Sequence, residues 1–454
     1  MMFREISPLD GRYAATLAPL GDCFSEFALA RERCVVELLY LQALDGTGVF
    51  SRLSHDEIAR IDTALESFSE SDFDQVKAIE STTNHDVKAC ELFLRERLAL
   101  ARPEMIHFGL TSADINNLAT AKILKRYRDE HQLPQVRELL GVLAALADAW
   151  SDAPFPARTH GQPASPTTAG KEIAVFVSRL LRQAKQLEAH RFRGKLNGAT
   201  GTYAALTTAA PDADWPALSK TLVEGMGLEW SSCTTQIEGN DAMAEYLGIT
   251  ARINNIVLDL DLDLWQYISR GEIVQKTVAD EVGSSTMPHK VNPIRFENSE
   301  GNIAIANALL HALGDKLTQS RMQRDLSGST VQRNVGVALA HSYLALQQTM
   351  GGLGRIDIDR AAALQEVDAH PEVLAEAIQT ILRAEGVDNP YDLLKTLTRG
   401  QALSSEDLHT WIDALDLEDA IKVRLRALKP ASYIGLAQSI CEDVAREARL
   451  WVSK

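Results

Sequence analysis

The amino-acid sequence predicts an all-α protein built around long central helices. Apolar residues recur at steps of three and four, which is the mark of one apolar helical face. That spacing, repeated over many turns, suits helices packed nearly parallel in a bundle. Alanine-rich stretches such as residues 304–312 would let such helices approach closely. With 454 residues, 45% of them hydrophobic, the chain can bury a sizeable core divided among domains.

Four segments carry the helical pattern most clearly, namely residues 136–150, 173–187, 243–264 and 339–353. Within the third of them, residues 259–264 alternate with period two, as a strand would. Helical spacing on both sides and the lack of bounding turn residues favour a helix there.

Polar segments interrupt the helical pattern and are predicted to be loops: residues 81–86, 111–117, 158–166, 283–293 and 323–334. The glycines within residues 351–354 mark the clearest late boundary and leave a helical C-terminal unit. We therefore expect three domains: an N-terminal helical domain (1–110), a central long-helix bundle (111–354) and a C-terminal helical domain (355–454).

Charge and composition exclude several classes of partner. Lys and Arg number 46 against 62 Asp and Glu, a net charge of -16 that argues against binding nucleic acid or an anionic membrane. A site for an anionic substrate must therefore gather its own positive charge. No run approaches the roughly 18 apolar residues of a membrane span, and the amino terminus lacks a signal-peptide core. Five scattered cysteines are typical of reduced thiols, so a cytoplasmic protein is expected.

The most informative stretch is Gly-Ser-Ser-Thr-Met-Pro-His-Lys-Val-Asn-Pro, residues 283–293. Asn292 is a good helix N-cap and Pro293 suits the first helical position, so the stretch reads as a loop that feeds a helix. There, backbone N–H groups and Lys290 can meet an anion, and the hydroxyls of Ser284 and Ser285 can reach the same site.

Two further polar segments contain a histidine. In residues 83–86, His85 by itself is more typical of a capping or surface histidine. In residues 158–163, Gly161 and Pro163 restrict the loop that carries His160, which makes it the stronger candidate. The chain has no G-x-G-x-x-G, no P-loop and no His-Glu-x-x-His, so we predict neither a cofactor nor a metal.

The 283–293 stretch resembles the GSSxMPxKxNP signature of the fumarase/aspartase superfamily, and the three polar segments follow that superfamily's order. Within it, the chain is most similar to the adenylosuccinate lyase family in its longer bacterial form, through residues 7–13, 82–88, 234–238 and 329–334. The resemblance runs over essentially the whole chain. It implies the superfamily's three-domain all-α fold and a homotetramer whose active sites are each drawn from three subunits.

The implied activity is the β-elimination of fumarate from adenylosuccinate to give AMP, and from SAICAR to give AICAR. By resemblance, His160 is the general acid that protonates the purine amino nitrogen, and Ser284 is the base at the succinyl β carbon. Histidine suits the first task because it titrates near neutral pH. Ser285 is expected to bind substrate, and the generic base candidates Glu281 and Glu297 are more typical of solvated carboxylates.

The other implied substrate-binding residues fall into three groups. Those expected to hold the succinyl carboxylates are Thr111, Ser112, Gln236, Lys290 and Asn292. Those expected at the nucleotide end, especially its phosphate, are Arg12, Tyr13, Arg324, Ser329 and Arg333, since arginine donates two parallel bonds to phosphate. His85 and Asp86 are expected beside His160, and the set is completed by Asn84, Val291, Asn298, Thr330, Val331 and Gln332.

Other functions remain open at this point. Argininosuccinate lyase, fumarase, aspartase and carboxymuconate cycloisomerase would use the same signature loop. A fumarate-sized ligand would not need the phosphate-binding chemistry of Arg12 and residues 324–333. A structural protein on the same scaffold is disfavoured because His160, Ser284 and Lys290 are all present.

Overall fold

The computed structural model describes residues 5–276, 287, 290–392, 394 and 405–453. The chain is 68% helical, which confirms the predicted all-α class. The helices, α1 to α20 in chain order, are Ala14–Leu17, Gly21–Phe24, Glu26–Asp45, His55–Glu66, Glu70–Thr83, Asp86–Leu98, Ser112–Tyr127, Leu133–Ala149, Ala169–Ala189, Ala204–Ala209, Trp215–Gly225, Asp241–Arg270, Ile294–Leu317, Ser327–Gln332, Val335–Leu353, Arg360–Asp368, Ala375–Ala384, Ser405–Ala414, Asp419–Arg426 and Ala437–Val452.

Within the described residues, six short strands form three two-stranded pairs. They are β1 (Pro154–Thr159), β2 (Gln162–Thr168), β3 (Arg193–Gly194), β4 (Glu229–Trp230), β5 (Ile273–Gln275) and β6 (Ile356–Ile358). β1 pairs with β2 and β5 with β6, both antiparallel, whereas β3 and β4 are parallel. No described helix is long and apolar enough to cross a membrane.

The four segments with the clearest apolar spacing are confirmed as helices α8, α9, α12 and α15. Residues 259–264 lie inside the 30-residue helix α12, so the helical interpretation of this alternating stretch is also confirmed. Leu260 and Leu264 are buried while Leu262 is 41% exposed, which is the helical spacing of three and four rather than one face of a strand.

Four of the predicted loops contain regular structure. In the 81–86 segment, residues 81–83 end α5 and Asp86 begins α6, so only Asn84 and His85 lie outside a helix. Residues 112–117 form the start of α7, residues 327–332 form α14, and the 158–166 segment lies mostly in the hairpin of β1 and β2. The loop predicted for residues 111–117 was wrong. Thr111, followed three residues later by Asp114, is a helix-start pattern. The Asp114 carboxylate accepts a hydrogen bond from the Thr111 N–H at 2.9 Å.

The glycines predicted to mark a boundary at residues 351–354 lie in and just after the last turn of α15. A Cβ on Gly352 would lie 2.7 Å from the ring of Phe296, in α13. Glycine is therefore required there by the close approach of the two helices. The helix ends at Leu353, close to the predicted boundary.

The chain divides into two compact units. Unit 1 comprises residues 1–135, 184–254 and 301–345, and unit 2 comprises residues 136–183, 255–300 and 346–454. Within unit 1, a core forms where α3, α4, α5 and α6 pack, around side chains such as Leu38, Ile61 and Phe93. Within unit 2, a C-terminal core gathers around Ile378, Leu382 and Ile412. The boundaries of the three predicted domains stay a prediction.

In unit 2, a buried polar contact joins α12, α13 and α15. Thr349 Oγ1 lies 2.9 Å from both carboxyl oxygens of Asp261 and 2.9 Å from Ser299 Oγ. Asp261 is only 1% exposed, and burial raises its pKa to about 8. A buried carboxyl group is costly to ionise, so this side chain destabilises the fold increasingly as the pH rises.

We expect Asp261→Asn to stabilise the protein at alkaline pH. An unfolded aspartate has a pKa of about 3.9, so the folded chain binds more protons than the unfolded chain between about pH 4 and 8. Stability linked to Asp261 is therefore lost as the pH rises through that window, and asparagine removes the loss. Melting temperatures from about pH 5 to 9 should decline less steeply than for the parent, while the exposed Asp388→Asn control should follow the parent. An unchanged decline in Asp261→Asn would contradict the assignment.

Candidate active site

Residues 84–86 turn the chain from α5 into α6 within unit 1. Asn84 ends α5 in the left-handed conformation, with φ 52°, and His85 is the N-cap of α6. His85 Nδ1 accepts a hydrogen bond from the Lys88 N–H at 3.1 Å, so the neutral ring carries its proton on Nε2. That Nε2 lies 3.5 Å from Ser112 Oγ. His85 is thus a helix-capping histidine, and its Nε2 lies beside Ser112, another residue predicted to bind substrate.

Asp86 is held as an anion by a neighbouring arginine. Arg33, in α3, donates to Asp86 Oδ2 at 2.7 Å and to Asn116 Oδ1 at 2.8 Å. Burial alone would raise the pKa of Asp86, but Arg33 and the Val87 N–H outweigh it and hold the pKa below its usual value. Arg33 therefore joins α3, α6 and α7 at this edge of the site. Arg33 lies in a helix without a recognisable motif, so the sequence did not indicate that it would bind Asp86 and Asn116.

A fully buried ion pair supports the start of α7. Lys195 Nζ lies 2.8 Å from Asp114 Oδ1, and both side chains are 0% exposed. The same carboxylate accepts from the N–H groups of Thr111, Asn197 and Gly198. Burial lowers the pKa of Lys195, against the opposing effect of Asp114. The pair holds Thr111 and the 195–198 segment together, and sequence reasoning missed it.

The 195–201 segment in turn positions the loop that carries Gln236. Asn197 Nδ2 donates to Thr234 Oγ1 at 2.9 Å. Gly201 has φ 76°, and a Cβ there would lie 2.8 Å from the Thr235 carbonyl oxygen, so only glycine allows this approach. Gln236 Oε1 accepts a hydrogen bond from Arg324 Nη1 at 3.1 Å. One residue predicted for the carboxylates and one predicted for the phosphate end therefore meet.

Part of the 324–333 segment lines one side of a small cavity of about 70 Å³ within unit 1. Its walls include Asn117, Glu238, Arg324, Ser329 and Gln332. Ser329, Val331 and Gln332 are half-buried, while Thr330 and Arg333 are exposed. Ala113 and Ile237, which directly follow Ser112 and Gln236 in the chain, also line this cavity.

The three arginines predicted to bind the nucleotide end have no carboxylate partner among the described residues. Arg324 bonds to a neutral amide, the exposed Arg12 stacks 5.9 Å from the ring centroid of Tyr13, and Arg333 is exposed. All three lie in unit 1.

In unit 2, His160 occupies the tip of the β1–β2 hairpin. Thr159 pairs with Gln162, and the two residues between them, His160 and Gly161, have φ 52° and 76°. Two successive left-handed residues make a type I′ turn, which matches the twist of the strands. Histidine in this conformation is uncommon, and strained residues concentrate at functional sites.

The hairpin is attached to helices that follow it in unit 2. Arg158 pairs with Glu366 of α16, and Arg270 reaches the same carboxylate at 3.2 Å. On β2, Ser165 bonds to Glu376 of α17. These contacts hold the strands just behind the turn while the tip stays exposed to solvent, which is where a proton donor could meet a substrate.

The signature stretch is described only in part. Ser284, Ser285 and the alternative base Glu281 lie outside the described residues. Lys290 and Val291 are exposed and Asn292 is half-buried, and Gln275 Nε2 donates to the Val291 carbonyl at 2.6 Å. Helix α13 begins at Ile294, one residue after the predicted start.

Two predicted residues lie on α13 itself. Asn298 is half-buried there. Glu297 is exposed and accepts from Trp265 Nε1 at 3.1 Å, as the solvated-carboxylate interpretation expects. Each unit thus carries part of the predicted set: unit 1 holds the residues around His85, Ser112 and Arg324, and unit 2 holds His160 and the signature stretch.

Comparison with known proteins shows which family the chain resembles. A family model described as lyase matches residues 22–306, and one described as adenylosuccinate lyase C-terminal matches residues 320–434. The adenylosuccinate lyase of Escherichia coli (strain K12) is 45% identical over 97% of this chain and 98% of that protein. Adenylosuccinate lyases from Haemophilus influenzae and Vibrio cholerae are 45% and 46% identical, with the same coverage of both chains.

Solved structures of more distant proteins share the fold. A fumarate lyase from Mesorhizobium sp. BNC1 has a TM-score of 0.78 at 21% identity, covering 94% of this chain and 97% of that one. The 3-carboxy-cis,cis-muconate lactonizing enzyme from Pseudomonas putida has a TM-score of 0.77 at 21% identity, covering 96% and 98%. At this identity the likeness concerns the fold alone.

Proposed function

The chain belongs to the adenylosuccinate lyase family of the fumarase/aspartase superfamily, and we propose that His160 and Ser284 are the acid and base with which it releases fumarate from adenylosuccinate. The argininosuccinate lyase, fumarase and aspartase alternatives are not favoured by the relatives. In the reaction, a C–N bond β to a carboxylate breaks, leaving AMP and fumarate. The same site would take the related SAICAR and release AICAR. The cytoplasmic location expected from the sequence stays a prediction.

The elimination needs a base, a stabilised anion and an acid. Ser284 would remove a proton from the succinyl β carbon, and Lys290 with loop N–H groups would stabilise the dianionic intermediate. The electron pair then forms the C–C double bond of fumarate as the C–N bond breaks. His160 would donate a proton to the departing purine nitrogen. Its exposed position on a held hairpin supports this role.

The observation that supports the nucleotide assignment most is the absence of carboxylate partners around Arg12, Arg324 and Arg333 within the described parts of the chain. In a chain of net charge -16, unpaired guanidinium groups are available to an anion. Arg324, bonded to Gln236, would hold the phosphate end while Gln236, Thr111 and Ser112 bind the succinyl carboxylates. Phosphate suits arginine because the planar guanidinium donates two bonds at once.

A direct assay tests the activity. Purified protein is incubated separately with adenylosuccinate, SAICAR, argininosuccinate and aspartate, and fumarate release is followed by absorbance. Release from the two succinylated nucleotide substrates alone is the expected result. Release from argininosuccinate or aspartate, with none from the nucleotides, would overturn the assignment.

We also propose the homotetramer implied by the resemblance, with active sites shared between subunits. Large apolar side chains are exposed on the parts of α9, α12 and α13 that belong to unit 2: Val175 (40%), Leu262 (41%), Trp265 (43%) and Ile294 (61%). Apolar side chains exposed on several long helices are typical of a surface that another subunit covers. The exposed position of His160 in a single chain supports a site completed by other subunits.

Mixing inactive variants should restore activity if sites are shared. His160→Asn subunits exchanged with Ser284→Ala subunits would form hybrid tetramers in which some sites draw both intact residues. Fumarate release should then rise well above that of either variant carried through the same exchange alone. No recovery, after mass spectrometry has verified mixed tetramers, would show that each site takes His160 and Ser284 from one subunit.

A further inference from the structure

Asp325 follows Arg324 in the loop between α13 and α14, and its carboxylate organises that loop. Oδ2 accepts from the Arg321 N–H at 3.0 Å, and Oδ1 accepts from the Ser327 N–H at 2.7 Å. Oδ1 also accepts from the Ser327 hydroxyl. The Asp325 N–H in turn donates to Ser320 Oγ at 3.2 Å. One side chain thus closes the loop on both sides of Arg324.

The loop contains an unfavourable backbone conformation that such bonds offset. Met322, two residues before Arg324, has φ 50° and is 90% exposed, so it adopts an unfavourable backbone conformation without burial to compensate. The hydrogen bonds from Ser327 and from the Arg321 N–H lower the pKa of Asp325 to about 2. The carboxylate is therefore ionised, and able to hold the loop, at every pH at which the protein would be assayed.

Asp325 is an unexpected residue beside a site for an anion. It lines the same small cavity as Arg324 and Ser329, where a bare carboxylate would repel a phosphate group. Both of its oxygens are already occupied by hydrogen-bond donors from its own loop. The arrangement is that of a residue that shapes the loop, while the neighbouring Arg324 guanidinium lines the cavity and bonds to Gln236 at 3.1 Å.

We propose that Asp325 is a positioning residue for nucleotide binding, which acts by holding residues 320–327 so that Arg324 reaches Gln236 and the phosphate end of the substrate. This inference rests on the proposed function, in which Arg324 binds the nucleotide. Asp325 itself touches no substrate atom. Its loss should therefore weaken nucleotide binding and leave the chemistry at the succinyl group intact.

Four variants test the inference: Arg324→Ala, Asp325→Ala, the double variant, and Asp315→Ala as a control. Asp315 is an exposed carboxylate in the last turn of the preceding helix, so its removal makes the same charge change. AMP binding is measured by calorimetry, and KM and kcat for adenylosuccinate by fumarate release. Melting temperatures verify folding. If Asp325→Ala does not fold, Asp325→Asn, which keeps an acceptor for Ser327, takes its place.

Each single variant at 324 and 325 should weaken AMP binding and raise KM about tenfold, the scale of one hydrogen bond to a charged group. Values of kcat should stay within about twofold, because the acid and base are untouched. The double variant should bind AMP no more weakly than Arg324→Ala, because Asp325 acts through Arg324. Asp315→Ala should match the parent.

The possible failures are distinguishable. If Arg324→Ala weakens AMP binding and Asp325→Ala does not, the positioning inference is wrong and the nucleotide assignment stands. Additive losses in the double variant would show that Asp325 acts independently of Arg324, which also overturns the inference. If Arg324→Ala binds AMP as the parent does, both the role of Arg324 and the inference built on it fail.

Discussion

Replacing His160 by asparagine should lower kcat by about 10²–10⁴-fold, the usual contribution of general acid–base assistance. The structure makes asparagine a better test than alanine. His160 has φ 52° and precedes Gly161 in a type I′ turn, where Asn-Gly is the preferred pair. His160→Asn should therefore keep the hairpin and the melting temperature while it removes the proton donor.

Steady-state kinetics on adenylosuccinate, with KM and kcat resolved, measure the effect. The loss should fall on kcat, and AMP affinity should change little, since the purine amino nitrogen needs the proton only as the bond breaks. His55→Asn, at an exposed histidine elsewhere in the chain, serves as the control and should behave as the parent. Near-normal turnover in a correctly folded His160→Asn protein would remove His160 from the mechanism.

Lys195→Met should produce the largest loss of stability, of about 3–5 kcal/mol, the usual cost of removing one partner from a buried ion pair. Methionine is unbranched and only one atom shorter than lysine, so packing is largely kept. The loss arises because the Asp114 carboxylate remains fully buried without its cation, although the Asn197 and Gly198 N–H groups still bond to it. Unfolding in urea, followed by circular dichroism, gives the free energy.

A second variant separates the buried charge from other effects of the substitution. Combining Lys195→Met with Asp114→Asn removes both charges and should recover part of the lost stability. Recovery should be incomplete, since asparagine accepts through one oxygen and Asp114 uses both, one of them for the Thr111 N–H. If the double variant is less stable than Lys195→Met alone, the loss does not come from an unpaired carboxylate.

Local patterns in the sequence were enough to predict the long helices. The spacing of leucines on both sides of residues 259–264 correctly outweighed their period-two alternation, because burial of one helical face depends on neighbours three and four positions away. The signature stretch and the segments around His85 and His160 were likewise found from short runs of residues. Their assigned roles stay predictions, which the experiments above test.

Two polar segments that were predicted to be loops adopt different regular structures. Thr111 and Asp114 start a helix, whereas residues 158–166 mostly form a hairpin with His160 at its tip. Both segments are rich in residues that favour turns and helix caps alike. Whether such a segment starts a helix or forms a hairpin depends on what it packs against, and its own residues do not specify that packing.

The sequence by itself determined the helical class, the family and the short segments that carry the candidate acid, base and phosphate ligands. Only the tertiary structure decided which side chains hold those residues in place. Arg33 reaches Asp86 across 53 positions, and Lys195 meets Asp114 from another part of the chain. A charged side chain is buried only where folding brings its partner within hydrogen-bond distance, and no local pattern encodes a partner that far away.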